Sequence, residues 1–285
     1  MMSVLSAVAN TLLNPPHTVT EIRHILGGAR RDLTGKTIVI TGASSGIGEA
    51  TARAFAARGA KIVAVARHME ALEATCDSII VDGGTAIPVT ADLSDTEDAS
   101  RLAAEIIEQF GVPDVLINNA GRSIRRSTLD SADRLHDYQR TMALNYFGPV
   151  ALILGLLPAM IDARRGHIVN VVTWGVSAGA MPKFGAYLAS KSALASFGRS
   201  LDAECNGTGV VVTNAGFPLV RTPMIAPTAD YHDSPALSSD EAAAWLVRAV
   251  DTRPAEIYPR YALVLRAVSA FSPRLAGQLT NQLGI

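Results

Sequence analysis

From Lys36 onward, short apolar runs alternate with longer stretches in which apolar positions recur every three to four residues. The runs Thr37–Ile40, Ile62–Ala66, Thr85–Val89, Val115–Asn118, His167–Val172 and Val210–Asn214 are apolar on both faces of an extended chain, which predicts strands covered on both sides. Between them, segments such as Gly48–Arg58, Thr96–Phe110 and Asp133–Ile161 have the length and spacing of helices. Strands separated by helices predict a parallel sheet with helices on both faces, a doubly wound α/β domain. A ligand of such a sheet sits beyond the carboxyl ends of its strands.

Three stretches depart from this alternation. Residues 1–34, broken by Pro15-Pro16, form an N-terminal extension ahead of the domain at 35–252. Residues 253–285, with Pro254, Pro259, Pro273 and the apolar piece Tyr261–Phe271, form a C-terminal helical segment. Both read as capping or subunit contacts, with a membrane or lipid role as the alternative. Residues 221–239 carry three prolines and many small or polar residues, the composition of an irregular excursion where substrate lids sit.

Composition narrows the partners. The net charge of −1 argues against nucleic acid, which demands a basic excess. Hydrophobic residues make up 48% and charged ones 18%, with mean hydropathy +0.23, an apolar but globular balance. Cys76 and Cys205 lack metal or CxxC spacing, so two free thiols in a reducing cytoplasm are the simplest reading. The segment Met1–His17 lacks the basic start and cleavage site of a secretory leader. Val150–Ile161 is interrupted by Pro158 and too short to span a bilayer, which leaves only peripheral membrane contact open.

The chemistry begins at the first strand, which runs into Thr41-Gly42-Ala43-Ser44-Ser45-Gly46-Ile47-Gly48 and then a helix. Glycines let the backbone turn tightly and approach a pyrophosphate, whose charge a helix N-terminus favours. The second strand ends Val65-Ala66-Arg67-His68. A carboxylate there would accept a hydrogen bond from a ribose 2′-hydroxyl, whereas Arg67 suits a 2′-phosphate. NADP(H) is therefore favoured over NAD(H), with Ser44 or Ser45 as helpers. Asp92-Leu93 follows the third strand, where an adenine ring could rest, and Asn118-Asn119-Ala120-Gly121 ends the fourth with small residues.

Downstream, Tyr187 and Lys191 stand four residues apart, neighbours on one helical face. An ammonium beside a phenol stabilises the phenolate, so Lys191 is expected to lower the Tyr187 pKa from about 10 and make it a general acid or base.

Together these pieces resemble the short-chain dehydrogenase/reductase family: TGASSGIG at Thr41–Gly48, Asp92, NNAG at Asn118–Gly121, Asn145, and Tyr187-x-x-x-Lys191, in the family's order over residues 36 to about 225. The resemblance implies a Rossmann-like single domain and hydride transfer between a nicotinamide and a carbonyl or carbinol carbon. Tyr187 would donate the proton, Lys191 would tune it and hold the nicotinamide ribose, and Asn145 would support a water relay. Val220 and Thr222 would meet the nicotinamide amide. It also implies a homodimer or homotetramer paired through the Tyr/Lys helix and its neighbour; the polar residues themselves form no metal constellation, so catalysis is expected to need no metal. Asn119–Arg126, His136–Met142, Thr173–Val176 and Leu219–Thr228 are similar to the bacterial and mycobacterial fatty acyl-CoA reductase branch. That implies an acyl-CoA, a long-chain aldehyde or a ketone as substrate. A 3-oxoacyl or hydroxysteroid-type alcohol dehydrogenase stays as an alternative.

Two departures matter. The family's serine, thirteen residues before the tyrosine, is here Trp174. Thr173 is expected to supply the hydroxyl instead, with one extra residue within Ser177–Met181 and Ser177 as the second candidate. If neither serves, the chain is a catalytically degenerate NADP(H)-binding sensor or assembly protein. After the sixth strand, Phe217-Pro218-Leu219-Val220 replaces the usual Pro-Gly approach. Arg122, Arg125 and Arg126 form a basic cluster that could meet a CoA phosphate, or equally form a solvated or intersubunit face. His136, Asp137 and His167 read as structural.

Overall fold

A computed structural model describes residues 11–16, 30–226, 228, 231 and 233–282. Most of the N-terminal extension and four positions of the excursion at 221–239 lie outside the described residues. Along the chain come β1 (Thr37–Thr41), α1 (Gly46–Ala56), β2 (Lys61–Ala66), α2 (Met69–Val81), β3 (Thr85–Thr90), α3 (Thr96–Phe110) and β4 (Val115–Asn118). The second half holds α4 (Leu135–Met142), a π-helical turn (Ala143–Phe147), α5 (Gly148–Asp162), β5 (Gly166–Thr173), the short α6 (Gly175–Ala178), α7 (Gly185–Glu204) and β6 (Val210–Phe217). It closes with α8 (Ser239–Thr252), β7 (Glu256–Ile257), α9 (Arg260–Phe271) and α10 (Pro273–Gln282).

Among the described residues the sheet has seven strands, all paired in parallel, in the order β3-β2-β1-β4-β5-β6-β7. The order reverses between β1 and β4, and that switch point opens a crevice at the carboxyl edge. The fold is the expected doubly wound, Rossmann-like single domain. Alternate residues of one strand serve opposite faces. Ile38 and Ile40 join the core under α1, α2 and α8, while Val39 joins the one under α3 and α5. A third cluster gathers Val172, Trp174, Leu194, Tyr258, Ala262 and Leu265 beneath the C-terminal helices.

The structure moves several boundaries. β7 adds a two-residue strand inside the segment read as a helical tail. β5 and β6 run to Thr173 and Phe217, bringing both to the carboxyl edge. The helix expected at Asp133–Ile161 is broken into α4 and α5 by the π turn around Asn145. The helical run Leu135–Asp162 is long and apolar enough in composition to cross a bilayer, with a mean hydropathy of 1.8 over its most apolar window. Yet Leu152, Ile153, Leu156 and Met160 are fully buried against the sheet core, and Asn145 is fully buried in the site. One face of the run is thus packed in the core, while Phe147, Leu154 and Ile161 are exposed.

Candidate active site

The glycine loop is shaped by backbone contact. Gly42 adopts a left-handed conformation (φ 67°), and a Cβ there would stand 2.9 Å from the Ala120 Cα. A Cβ at Gly48 would run into the Gly42 carbonyl oxygen. Asn119 ties the loop down: its Nδ2 donates to the carbonyls of Thr41 (2.9 Å) and Gly42 (3.2 Å). The Thr41 hydroxyl accepts from the backbone N–H groups of Asn119 and Ala120, at 3.0 Å each. Ser45 precedes α1 in extended backbone and makes no side-chain cap, so the first N–H groups of α1 are not taken by it. Thr222 lies over the loop, its Cγ2 3.0 Å from where a Gly46 Cβ would be. Val220 pairs with Leu237 beyond β6 and is buried. This cradle fits a dinucleotide pyrophosphate.

Arg67 is exposed just past β2. The Asp92 carboxylate accepts from the Ser94 hydroxyl (2.7 Å) and backbone N–H (2.9 Å). Those bonds hold Asp92 below the usual carboxylate range against the opposing effect of burial, with Arg67 and Arg122 adding smaller pulls. Both arginines therefore lie within electrostatic reach of Asp92. Leu93 beside it is buried.

The reacting side chains meet where β4, β5, the π turn and α7 converge. Asn145 is fully buried; its Oδ1 accepts from the Arg122 N–H (2.8 Å), and its Nδ2 donates to the Arg122 carbonyl (2.8 Å) and the Ser190 hydroxyl (3.0 Å). The π turn supplies this orientation, a frequent cause of such irregularities at functional sites. Gly121 sits between Asn145 and Lys191: a Cβ on it would be 3.3 Å from Asn145 Oδ1 and 3.2 Å from Lys191 Nζ. Lys191 is itself buried, donates to the Val171 carbonyl at 2.8 Å, and is brought down to about 8 by burial.

Thr173, the last residue of β5, is 4% exposed, and its hydroxyl acts on the Tyr187 phenol, pulling its pKa down. Trp174 turns the other way. Its backbone N–H extends the β5–β6 pairing to the Phe217 carbonyl (2.9 Å), and its ring meets Tyr261 at 5.4 Å in the C-terminal cluster. Ser177 points to the Ala262 carbonyl at 3.4 Å and serves to hold α9.

The expected pull of Lys191 on the phenol meets an opposing effect: burial pushes Tyr187 up to about 12, against the pull of Thr173, and Tyr231 adds to the rise. The lysine meanwhile donates its ammonium N–H to the Val171 carbonyl.

His167 is buried at the start of β5, its Nε2 2.8 Å from the Thr213 hydroxyl, and belongs to the frame, not to the site. Asp137 proves more engaged than its sequence context suggested, facing Arg126, Arg134 and Arg140. Tyr231 was not anticipated; it lies near Tyr187 and under the Arg125 guanidinium, 5.6 Å from ring centre to Cζ. Its only sequence signal was its place in the proline-rich excursion. Among the described residues no His, Cys, Asp or Glu cluster could hold a metal.

A family model described as short chain dehydrogenase matches residues 36–232. A fatty acyl-CoA reductase of Mycobacterium tuberculosis is 49% identical over 251 residues, covering 88% of this chain and 85% of that protein. Another from Acinetobacter baylyi is 46% identical over 244 residues, covering 86% and 82%. A solved metagenomic short-chain oxidoreductase in complex with NADP superimposes with a TM-score of 0.68 at 30% identity, covering 80% of this chain and 97% of that one.

Proposed function

The chain belongs to the short-chain dehydrogenase family of NAD(P)-dependent oxidoreductases, and from that premise we propose that it uses NADPH to reduce a lipid-like carbonyl, foremost an acyl-CoA thioester. The observation that carries the catalytic part is the meeting of Lys191 and Asn145 at Gly121, with the buried Thr173 hydroxyl near enough to the Tyr187 phenol to act on it. It supports Thr173 in the place of the missing serine and speaks against a degenerate site. The substrate class is supported by the two acyl-CoA reductases that resemble this chain over most of its length.

A bound nicotinamide would supply the hydride. Tyr187, held protonated well above neutral pH, gives its proton to the carbonyl oxygen as that oxygen gains charge. Thr173 steadies the same oxygen, a contribution of roughly 3–4 kcal/mol to the barrier for a well-placed donor. From a thioester this yields a hemithioacetal. Its C–S bond then breaks, the thiolate leaves with the hydroxyl proton, and an aldehyde forms without a nucleophilic cysteine. Asn145 and Lys191 provide the route by which Tyr187 regains a proton. Arg67, beside the cradle, is the reading's source of preference for a 2′-phosphate.

The test is NADPH oxidation with a panel of acyl-CoAs, aldehydes and ketones. Tyr187→Phe should lower kcat by about 10²–10⁴ while NADPH still binds. Protein that binds NADPH but turns over no carbonyl in a Tyr187-dependent way would end the enzyme reading. Turnover of ketones but not of thioesters would return it to the alcohol dehydrogenase alternative.

A further inference from the structure

Five arginines and three aspartates lie between Arg122 and Arg140, a surplus of two positive charges in a chain whose net charge is −1. The structure gathers much of that surplus onto one carboxylate. Asp137 is buried, with side-chain exposure of 4%. Arg134 reaches it with Nε (2.8 Å) and Nη2 (3.3 Å), Arg140 with Nη2 (2.6 Å), and Arg126 stands 3.4 Å away. His136 Nε2 approaches the same carboxylate at 3.3 Å. Asp133 acts on Arg134 from outside. Two carboxylate oxygens cannot engage five N–H donors from each of three guanidiniums. Asp137 orients the three planes, and the side chains of Arg126, Arg134 and Arg140 remain 47%, 33% and 53% exposed. A buried anchor with several half-exposed guanidiniums around it presents fixed forks of the kind that bind phosphate oxygens.

The cluster adjoins the reacting residues. Ile124, Arg126, Arg134, Asp137, Tyr138 and Ala186 line one shallow recess, and Ala186 is the neighbour of Tyr187. The Arg126 N–H donates to the Lys183 carbonyl at 2.6 Å. A Cβ at Gly185 would stand 3.2 Å from both the Thr128 and Tyr138 hydroxyls. The arginine segment is thus held against the start of α7, on which Tyr187 sits.

We infer that Arg126, Arg134 and Arg140 around Asp137 form a phosphate subsite that holds the phosphorylated nucleotide end of a CoA thioester while its acyl carbonyl lies at Tyr187. The inference rests on the acyl-thioester reading above and adds to it the part of the chain that recognises the carrier. It assigns no chemistry to these arginines, only the capture and alignment of the carrier.

The experiment compares wild type with Arg140→Gln and Arg126→Gln on two substrates bearing the same acyl chain, one a CoA thioester and the other a pantetheine thioester without phosphates. Each variant should raise KM for the CoA thioester about tenfold, the loss expected for one charge-assisted contact, with little change in kcat. KM for the pantetheine thioester should stay within about twofold, because the lost contact involves phosphate alone. Calorimetry with free CoA on protein saturated with NADP⁺ should show weaker binding in both variants and a steep salt dependence in wild type. Equal rises in KM for both thioesters would mark the cluster as a structural clamp and overturn the subsite. Absence of any thioester turnover, with Tyr187-dependent reduction of aldehydes intact, would overturn the substrate reading instead. Calorimetry would then decide the subsite alone: no CoA binding by wild type, or undiminished binding by the variants, overturns it.

Discussion

The turn after β1 and the turn after β5 occupy equivalent places at the carboxyl edge of one sheet, yet they are built on different principles. The first works through backbone. Gly42 and Gly48 are required by close approach to other main-chain atoms, and Ser45 places no side-chain cap on the start of α1. The second works through side chains whose facing alternates residue by residue. Thr173 turns to Tyr187 while Trp174, one step along, turns to Tyr261. A backbone site tolerates variation in its side chains, whereas a side-chain site changes its chemistry with a single step of register.

The sharpest way to break this contrast is to remove the two neighbours separately. Trp174→Ala empties a fully packed aromatic position and should cost about 3–5 kcal/mol of stability. Its effect should appear in the urea midpoint and the exposure of α9, with the folded fraction keeping most of its kcat. Thr173→Ala should do the reverse, lowering kcat by about 10²–10³ with little change in midpoint, and Thr173→Ser should recover most of the loss. A Trp174 variant that folds normally but loses activity would put the indole in the chemistry and sink the assignment.

How far each turn was legible follows from the same difference. Glycine at a tight approach is a composition signal, so Thr41–Gly48, its strand and its helix could be read directly. So could Tyr187 and Lys191, because spacing of four on a helix fixes a shared face. What spacing could not supply was where the ammonium goes: only the fold shows Lys191 on the Val171 carbonyl, leaving Tyr187 raised by burial. The π turn at Asn145 shifts helical phase over a few residues inside a run whose apolar character never lapses, so periodicity passed over it. β7 is two residues long, below what alternation can register. Arg134 and Arg140 stand three residues before and after Asp137, a spacing that the sequence shows, whereas Arg126 is brought to the same carboxylate only by the fold.

The backbone-built turn can be tested through Arg67, the side chain past β2 that is proposed to meet a 2′-phosphate. Arg67→Asp should weaken NADPH binding by about 10–100-fold, the worth of a charged hydrogen bond plus a like-charge penalty, and leave NADH binding unharmed. Fluorescence titration of both cofactors measures this. The cradle itself should still bind, because the pyrophosphate contacts come from main chain. Equal affinity of wild type for the two cofactors would remove Arg67 from the phosphate contact.

The smallest effect sharpens the comparison within β5 itself, whose carboxyl end carries Thr173 and whose amino end carries His167. Burial holds His167 down at about 3, from 6.5, with the positive charges of Arg253 and Arg31 acting the same way. Its folded pKa lies below its unfolded one, so between these values the unfolded chain binds the extra proton. The stability this histidine contributes is therefore complete above pH 6.5 and declines as pH falls toward 3. The slope is about 1.4 kcal/mol per pH unit. His167→Gln keeps an amide to bond the Thr213 hydroxyl but cannot titrate. Urea unfolding at pH 7, 6 and 5 should show the variant losing less stability per unit than wild type, by about that slope, with KM and kcat of the folded enzyme alike in both. Parallel pH profiles would mean that water reaches the imidazole. The amino end of β5 would then be a more open frame than the buried strand requires.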